Sequence, residues 1–350
     1  MPTEFSSDDP GGETHDEVPA KPVVSVVVPT FNGTFIDESI SSVQAQTMTS
    51  WELIVVDDGS TDDTPQRVRR LAADDARVRL IEQVNGGVAA ARNRGFAATT
   101  ASSDYVLFLD HDDLLEPEAF ARAIAVMEQR RDVAAVHAEI TLIDSIGEPQ
   151  PRRELDAGLR RFRYRGWRRV ECDPTEPTST DAIISSDCII TPGQVLIRRS
   201  SLGPEPFPAR FNSYDDWMVW IEISRSGVMY YEPNPSLRYR LHGGNQSNNT
   251  AALFAGRRDT FRELLRSTDL SVQLRRSAAV ALTRLEAKDS RSKLKHVVGS
   301  LRERKVHVAA VEAARTIKDV QRALIGVAWY VRLGFGGQHL AKTQGQERHS

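Results

Sequence analysis

Asp110, Asp112 and Asp113 stand together in the segment LFLDHDDLLEP, directly after a run of apolar and aromatic residues. Carboxylates packed that closely repel one another unless a cation sits among them. Hard divalent ions such as Mg²⁺ or Mn²⁺ take oxygen ligands and are often held by one or two carboxylates together with substrate phosphates. A solvated acidic turn capping a helix is the other reading of this run. Two more strand-like stretches argue against it. VSVVVPTFN ends in Pro29, Thr30 and Asn32, and ELIVVDDGSTD ends in Asp57, Asp58, Gly59 and Ser60. In an open α/β sheet, ligands bind just beyond the carboxyl ends of the strands. Three such ends describe one cleft, and the chemistry they imply is a metal-assisted nucleotide site.

A second constellation is Asn85-Gly86-Gly87 followed by Ala91-Arg92-Asn93-Arg94-Gly95. The glycine pair lets backbone N–H groups approach a phosphate or base at a helix N-terminus, and the planar fork of Arg92 suits an anion. The spacing is not GxGxxG, which weakens a dinucleotide reading.

The elements that must carry these residues follow from periodicity. Residues 1–22 are acidic, rich in Pro, Gly and Ser and aperiodic, as expected of a disordered tail without a secretory signal. Val23–Val28 reads as a parallel strand buried on both faces, ended by Pro29. Residues 35–46 form a helix with Ile36, Ile40 and Val43 on one stripe. Strands are expected at 52–56, 77–83, 105–109 and 133–143, with helices from 62 or 63 to 73, 87–100 and 117–130 between them. Strand–helix alternation with short links implies a doubly wound, mostly parallel α/β sheet. Residues 145–185 read as a loop-rich, basic, acceptor-side segment. Residues 188–198 have strand character, 214–225 read as a helix, and 229–231 and 237–241 as two short strands. From residue 251 the pattern is helical to about Leu333.

The 350 residues carry a net charge of −3, with 40% hydrophobic and 27% charged residues, an ordinary soluble composition. The charge is divided unevenly. Residues 251–350 hold 20 Lys+Arg against 9 Asp+Glu, leaving 25 against 39 in residues 1–250. A basic helical extension could meet anionic lipid headgroups or could simply be a solvated face. No nucleic-acid partner is expected. Cys172 and Cys188 are neither a disulfide framework nor a zinc set. No apolar run approaches the roughly 20 residues that span a bilayer, so the expected location is cytoplasmic, with membrane association at the inner face as an option.

Taken in order, VSVVVPTFN, the VDDGSTD run at 56–62, N-x-G-x-x-x-A-R-N-x-G at 85–95 and D-x-D-D at 110–113 resemble the family 2 glycosyltransferases of GT-A fold, over residues 23 to about 245. The resemblance implies a GT-A domain over 23–250, with a nucleotide-binding half at 23–115 and an acceptor half at 116–250. It implies that Pro29, Thr30, Asn32 and Glu38 line the nucleoside side, and that Asp58, helped by Asp57, accepts from a pyrimidine N3–H. Asn85, Gly87 and Arg92 would serve the base and pyrophosphate, while Asp110 and Asp112 would contact the sugar nucleotide. Asp113, with Asp112 and His242, would hold Mn²⁺ or Mg²⁺. The family's Glu-Asp pair opening a helix has its counterpart in Asp215-Asp216, with Asp in the Glu place. Asp216 is then the base and Asp215 its acceptor-orienting partner, although two acids at a helix start also make a good cap. Segments 191–199 and 239–247 resemble the stretch before the base helix and the loop that closes on the donor.

The expected activity is metal-dependent, inverting transfer from a nucleotide-diphosphate sugar, UDP or dTDP, to a glycan or lipid-linked acceptor in envelope polysaccharide or glycolipid synthesis. Two alternatives are a nucleotidyltransferase, which would want a Gly-rich basic loop after the first strand where PTFNGTF stands, and a non-catalytic sugar-nucleotide-binding module, against which the acid pair at 215–216 argues.

Overall fold

A computed structural model of the chain describes residues 22–151, 160–165, 168–186, 188–208, 215–245 and 248–302. The tail expected over 1–22 lies outside these residues except for its last position, as does the helical run expected beyond Arg302.

An eight-stranded sheet runs in the order β3 (Val78–Glu82), β2 (Trp51–Asp57), β1 (Val24–Thr30), β4 (Tyr105–Phe108), β9 (Val195–Arg198), β6 (Val133–Ile143), β10 (Val228–Arg240) and β5 (Leu114–Leu115). The β3-β2-β1-β4 half and the β6/β10 pair are parallel, whereas β9 is antiparallel to both neighbours and β5 to β10. This is the mixed, mostly parallel sheet of the GT-A fold. Successive side chains leave a strand on opposite faces. Val24, Val26 and Val28 accordingly pack with α1 (Ile36–Gln44) and α4 (Ala119–Gln129), and Val27 packs on the other side with Phe96 of α3 (Val88–Ala97). Helix α2 (Thr64–Asp74) follows β2, with Val68 in the same core as α1. Helix α3 lies close on the sheet because Gly95 carries no side chain: a Cβ there would stand 2.4 Å from Val27 Cγ1.

Pro29 does not end β1, which runs on to Thr30 in register with Asp57. Val27 O accepts from Leu109 N on the β4 flank. Pro29, two residues on, faces the same flank past the end of β4, where no donor is needed. The two short strands expected at 229–231 and 237–241 form one strand, β10, whose register shifts around Glu232–Leu237 absorb Pro233 and Pro235. The strand expected over 188–198 is shorter, because Pro192–Gln194 forms a 3₁₀ turn before β9. The segment read as loop-rich contains a paired β7 (Phe162–Arg165) and β8 (Arg168–Glu171) and a short helix α5 (Thr180–Ser185).

Helix α6 (Asp215–Ser226) brings Trp217 and Trp220 into a core shared with α7 (Thr250–Arg266) and α8 (Val272–Arg302). Trp217 meets Phe261 edge-on at 5.3 Å, and Arg258 of α7 pairs with buried Glu286 of α8 at 2.8 Å. The start of the basic C-terminal segment therefore helps to bury the helix that carries Asp215 and Asp216, and part of its charge is neutralised within the protein. Cys172 and Cys188 are buried free thiols.

Candidate active site

The ends of β1, β2 and β4 converge, as strand order 3-2-1-4 requires at a topological switch point. At the end of β2, Asp58 accepts from Gln83 Nε2 (2.7 Å), Gly86 N (2.8 Å) and Gly87 N (2.9 Å). It thereby sets the glycine loop that opens α3, where Gly87 takes φ +87°. Asp57 accepts from Ser60 N at 3.1 Å. Asn32, at φ 50°, stitches the β1 loop to the β2 loop: its N–H donates to Ser60 Oγ (2.8 Å) and its Oδ1 accepts from Thr61 N (2.9 Å). Thr30, Asp57 and Asp58 are buried, while Asn85 is exposed.

The acidic run after β4 divides its labour. Asp112 Oδ2 lies 2.8 Å from His242 Nε2, and both side chains keep some exposure. Asp113 is wholly enclosed: its Oδ2 faces Thr191 Oγ1 at 3.0 Å and its Oδ1 accepts from Arg240 N at 3.1 Å. Burial first, then the charges of Asp112 and Asp110, push its carboxyl well above the usual range. Thr191 Oγ1 also lies 3.2 Å from Asp110 Oδ2. It has one proton to give, so a proton on Asp113 would complete the chain Asp113–Thr191–Asp110. Asp113, expected as a metal ligand, is enclosed and hydrogen-bonded, whereas the side chains of Asp112 and His242 are partly exposed.

Arg92 joins the two halves. Its Nη2 donates to Asp110 Oδ1 at 2.7 Å and its Nη1 to Asp215 Oδ2 at 3.0 Å, with the guanidinium buried. Burial alone would depress its pKa, but Asp110, Asp215 and Asp216 outweigh it and raise it above the ordinary value. Asp215 is buried, whereas Asp216 is half-buried and its Oδ1 accepts from Trp217 N at 2.8 Å. Acids in the first turn of α6 also suit the positive end of its dipole.

Glu38 is not held at the nucleoside side by any described contact; it pairs with Arg240 Nη2 at 2.6 Å. Arg240, fully buried, also donates from Nε to Asp112 O at 3.0 Å and lies 4.4 Å from the Phe35 ring, whose edge meets His242 at 5.0 Å. Neither Arg240 nor the bridging role of Thr191 was singled out from sequence. The usable signal was an arginine two residues before His242 at the end of a strand.

Among the described residues no three His, Cys, Asp or Glu side chains cluster closely enough to hold a metal. Asp112 and His242 offer one carboxylate and one imidazole, a donor set that fits Mn²⁺ or Mg²⁺ when a diphosphate supplies further oxygens. No helix among the described residues is long and apolar enough to cross a membrane.

Comparison with known proteins agrees with this fold. The solved mannosyltransferase PcManGT from Pyrobaculum calidifontis, in complex with GDP-Man and Mn²⁺, superposes with a TM-score of 0.59 at 18% identity, covering 89% of this chain and 87% of that one. Bacillus subtilis TuaG, named "putative teichuronic acid biosynthesis glycosyltransferase", is 29% identical over 232 residues, 65% of this chain and 83% of TuaG. A Sinorhizobium fredii protein is 39% identical over 122 residues, a match that spans only 13% of its length. The family described as "Glycosyl transferase family 2" matches residues 25–203, about half of the chain, and with that match the protein belongs to glycosyltransferase family 2 and is a transferase enzyme.

Proposed function

We propose that the protein moves a sugar from a nucleoside-diphosphate donor, with UDP or dTDP as carrier, to a glycan or lipid-linked acceptor in envelope polysaccharide or glycolipid synthesis, inverting the anomeric centre. The observation that carries this reading is the Arg92 bridge, which puts Asp110 of the donor side and Asp215 of the acceptor side within reach of one guanidinium. A diphosphate-binding loop and a base-bearing helix then share one cleft, as a single displacement requires.

Asp216, half-buried at the start of α6, takes the proton of the acceptor hydroxyl as that oxygen attacks the anomeric carbon from the face opposite the leaving diphosphate. No covalent intermediate forms. General-base catalysis of this kind contributes about 10²–10⁴ in rate. Asp57 and Asp58 stand at the base side with Pro29, Thr30 and Asn32, and Asn85 and Gly87 border the loop that a nucleotide would approach. Asp112 and His242 are the residues that would hold a divalent ion, which when bound neutralises charge developing on the leaving diphosphate. Asp113 supports them from beneath. Peripheral contact with anionic membrane through the basic C-terminal helices rests on the charge count alone, and much of that segment lies beyond Arg302.

The test is a panel of UDP-glucose, UDP-N-acetylglucosamine, dTDP-glucose and GDP-mannose, read as thermal stabilisation with and without Mn²⁺ and as nucleoside diphosphate release. Asp216→Asn should keep the stabilisation and lose about 10²–10⁴ in release. Wild-type release by that variant would remove the base assignment.

A further inference from the structure

Arg92 is held from both sides by carboxylates of the protein itself. Its two arms are taken by Asp110 and Asp215, and it is only 5% exposed. Its Cζ lies 5.2 Å from the Phe207 ring. The next residue on α3, Asn93, fastens the same chain segment: its Nδ2 donates to Phe207 O at 2.7 Å and its Oδ1 accepts from Phe207 N at 3.0 Å. Helix α3 in turn is pinned to β1 and β2 by the close approach at Gly95. The guanidinium is therefore delivered from a rigid platform and spent on two carboxylates of different elements. Without it, Asp110 and Asp215 would face each other as like charges with part of their hydration removed.

We propose that Arg92 is the positioning residue of the base: by gripping Asp215 it sets the first turn of α6, and so Asp216, at a fixed place relative to Asp110, and it is not a ligand of the donor's diphosphate. This rests on the reading of Asp216 as base. It departs from the pyrophosphate role that the sequence resemblance implied for Arg92. It also gives Asp215 a function, since a buried carboxylate committed to Arg92 holds the helix start rather than contacting an acceptor. Lysine at position 92 has one point charge where two directed N–H donors are needed, so it should replace arginine poorly.

The experiment uses the full chain and the variants Arg92→Ala, Arg92→Lys, Asp215→Asn, the Arg92→Ala/Asp215→Asn pair and Asp216→Asn. Calorimetry measures affinity for UDP and GDP with Mn²⁺, diphosphate release measures turnover on the panel above, and amide exchange follows residues 215–219 against residues 24–30. Expected for Arg92→Ala is nucleotide affinity within about threefold of wild type and turnover at saturating donor down about 10²-fold, the scale of a small misplacement of a reacting group. Asp215→Asn should reproduce the loss, the double variant should be no worse than Arg92→Ala, and exchange should rise at 215–219 only. Loss of nucleotide affinity with turnover retained at saturating donor, or unchanged exchange at 215–219, overturns the proposal. If Arg92→Ala does not fold, Asp215→Asn gives the same readouts. Wild-type turnover by Asp216→Asn would sink the base reading instead, and the exchange data would still decide whether Arg92 holds α6.

Discussion

His242 Nε2 and Asp112 Oδ2 meet at 2.8 Å, and on the far side of the ring Gly244 N donates to Nδ1 at 3.2 Å. With Nδ1 accepting, the neutral imidazole carries its proton on Nε2 and shares it with Asp112. A divalent ion taking Nε2 would send that proton to Nδ1, so the Gly244 N–H would have to turn away from the ring when the ion binds. His242→Ala and Asp112→Asn should each weaken Mn²⁺ binding by about tenfold or more, the scale found even for supporting groups around a metal. Asp113→Asn should leave it within about threefold, since an amide can take the place of the enclosed carboxyl toward Thr191 and Arg240 N. Paramagnetic resonance of free Mn²⁺ measures all three, and equal losses at 112 and 113 would return Asp113 to the ligand set.

Arg240 and Glu38 test how much of that arrangement depends on a buried cation. The Glu38 side chain is 54% exposed, so its half of the ion pair is screened and Glu38→Gln should cost under about 1 kcal/mol. Arg240→Met strips the donor from Asp112 O and leaves that carbonyl without its partner, a change of about 1–3 kcal/mol. Urea unfolding of the two variants should show this asymmetry, and a larger loss for Glu38→Gln would contradict it.

Much of this was legible in residue order. The β-branched runs gave β1 and β2, and the polar residues that end them, with the acidic run, marked the cleft. What was not legible depends on distance in the chain. Nothing local says that Asp113 turns inward to Thr191 and Arg240 while Asp112 turns out to His242, because those partners come from 78 to 130 residues away. The same holds for Arg92, whose second carboxylate lies 123 residues on. β7 and β8 escaped because they are Arg-rich and only four residues long, too short for the alternation of Phe162 and Tyr164 with arginines to stand out, and β10 looked broken because its prolines fall at bulges.

Gly95 offers a test of packing alone. Alanine is the better helix former by about 1 kcal/mol, yet its Cβ would stand 2.4 Å from Val27 Cγ1 and 3.0 Å from Val56 Cγ2, both on fully buried strands. Overpacking of that kind costs about 1–3 kcal/mol. Gly95→Ala should therefore unfold at lower urea concentration than wild type. A stabilised variant would mean that α3 can lift off the sheet.

His137 should set part of the acid limit of the fold. It is buried on β6 with Nε2 2.7 Å from Thr178 Oγ1, and its Nδ1 has no hydrogen-bond partner among the described residues. Thr178 Oγ1 also accepts from Arg161 Nη1 at 3.1 Å, and the Tyr231 ring lies 5.3 Å away. Burial first, then the Arg161 charge, lowers its pKa to about 3. The unfolded chain takes up this proton near pH 6.5 and the folded chain does not. The contribution is therefore complete above that pH and is lost as pH falls from 6.5 toward 3. At pH 5 the loss from this group is roughly 2 kcal/mol. His137→Gln keeps an acceptor for Thr178 and removes the titration. Its unfolding free energy should fall less between pH 7 and pH 5 than that of the wild type, by about that amount, since every other group titrates equally in both proteins. Parallel pH profiles would show that His137 is not the buried neutral imidazole described.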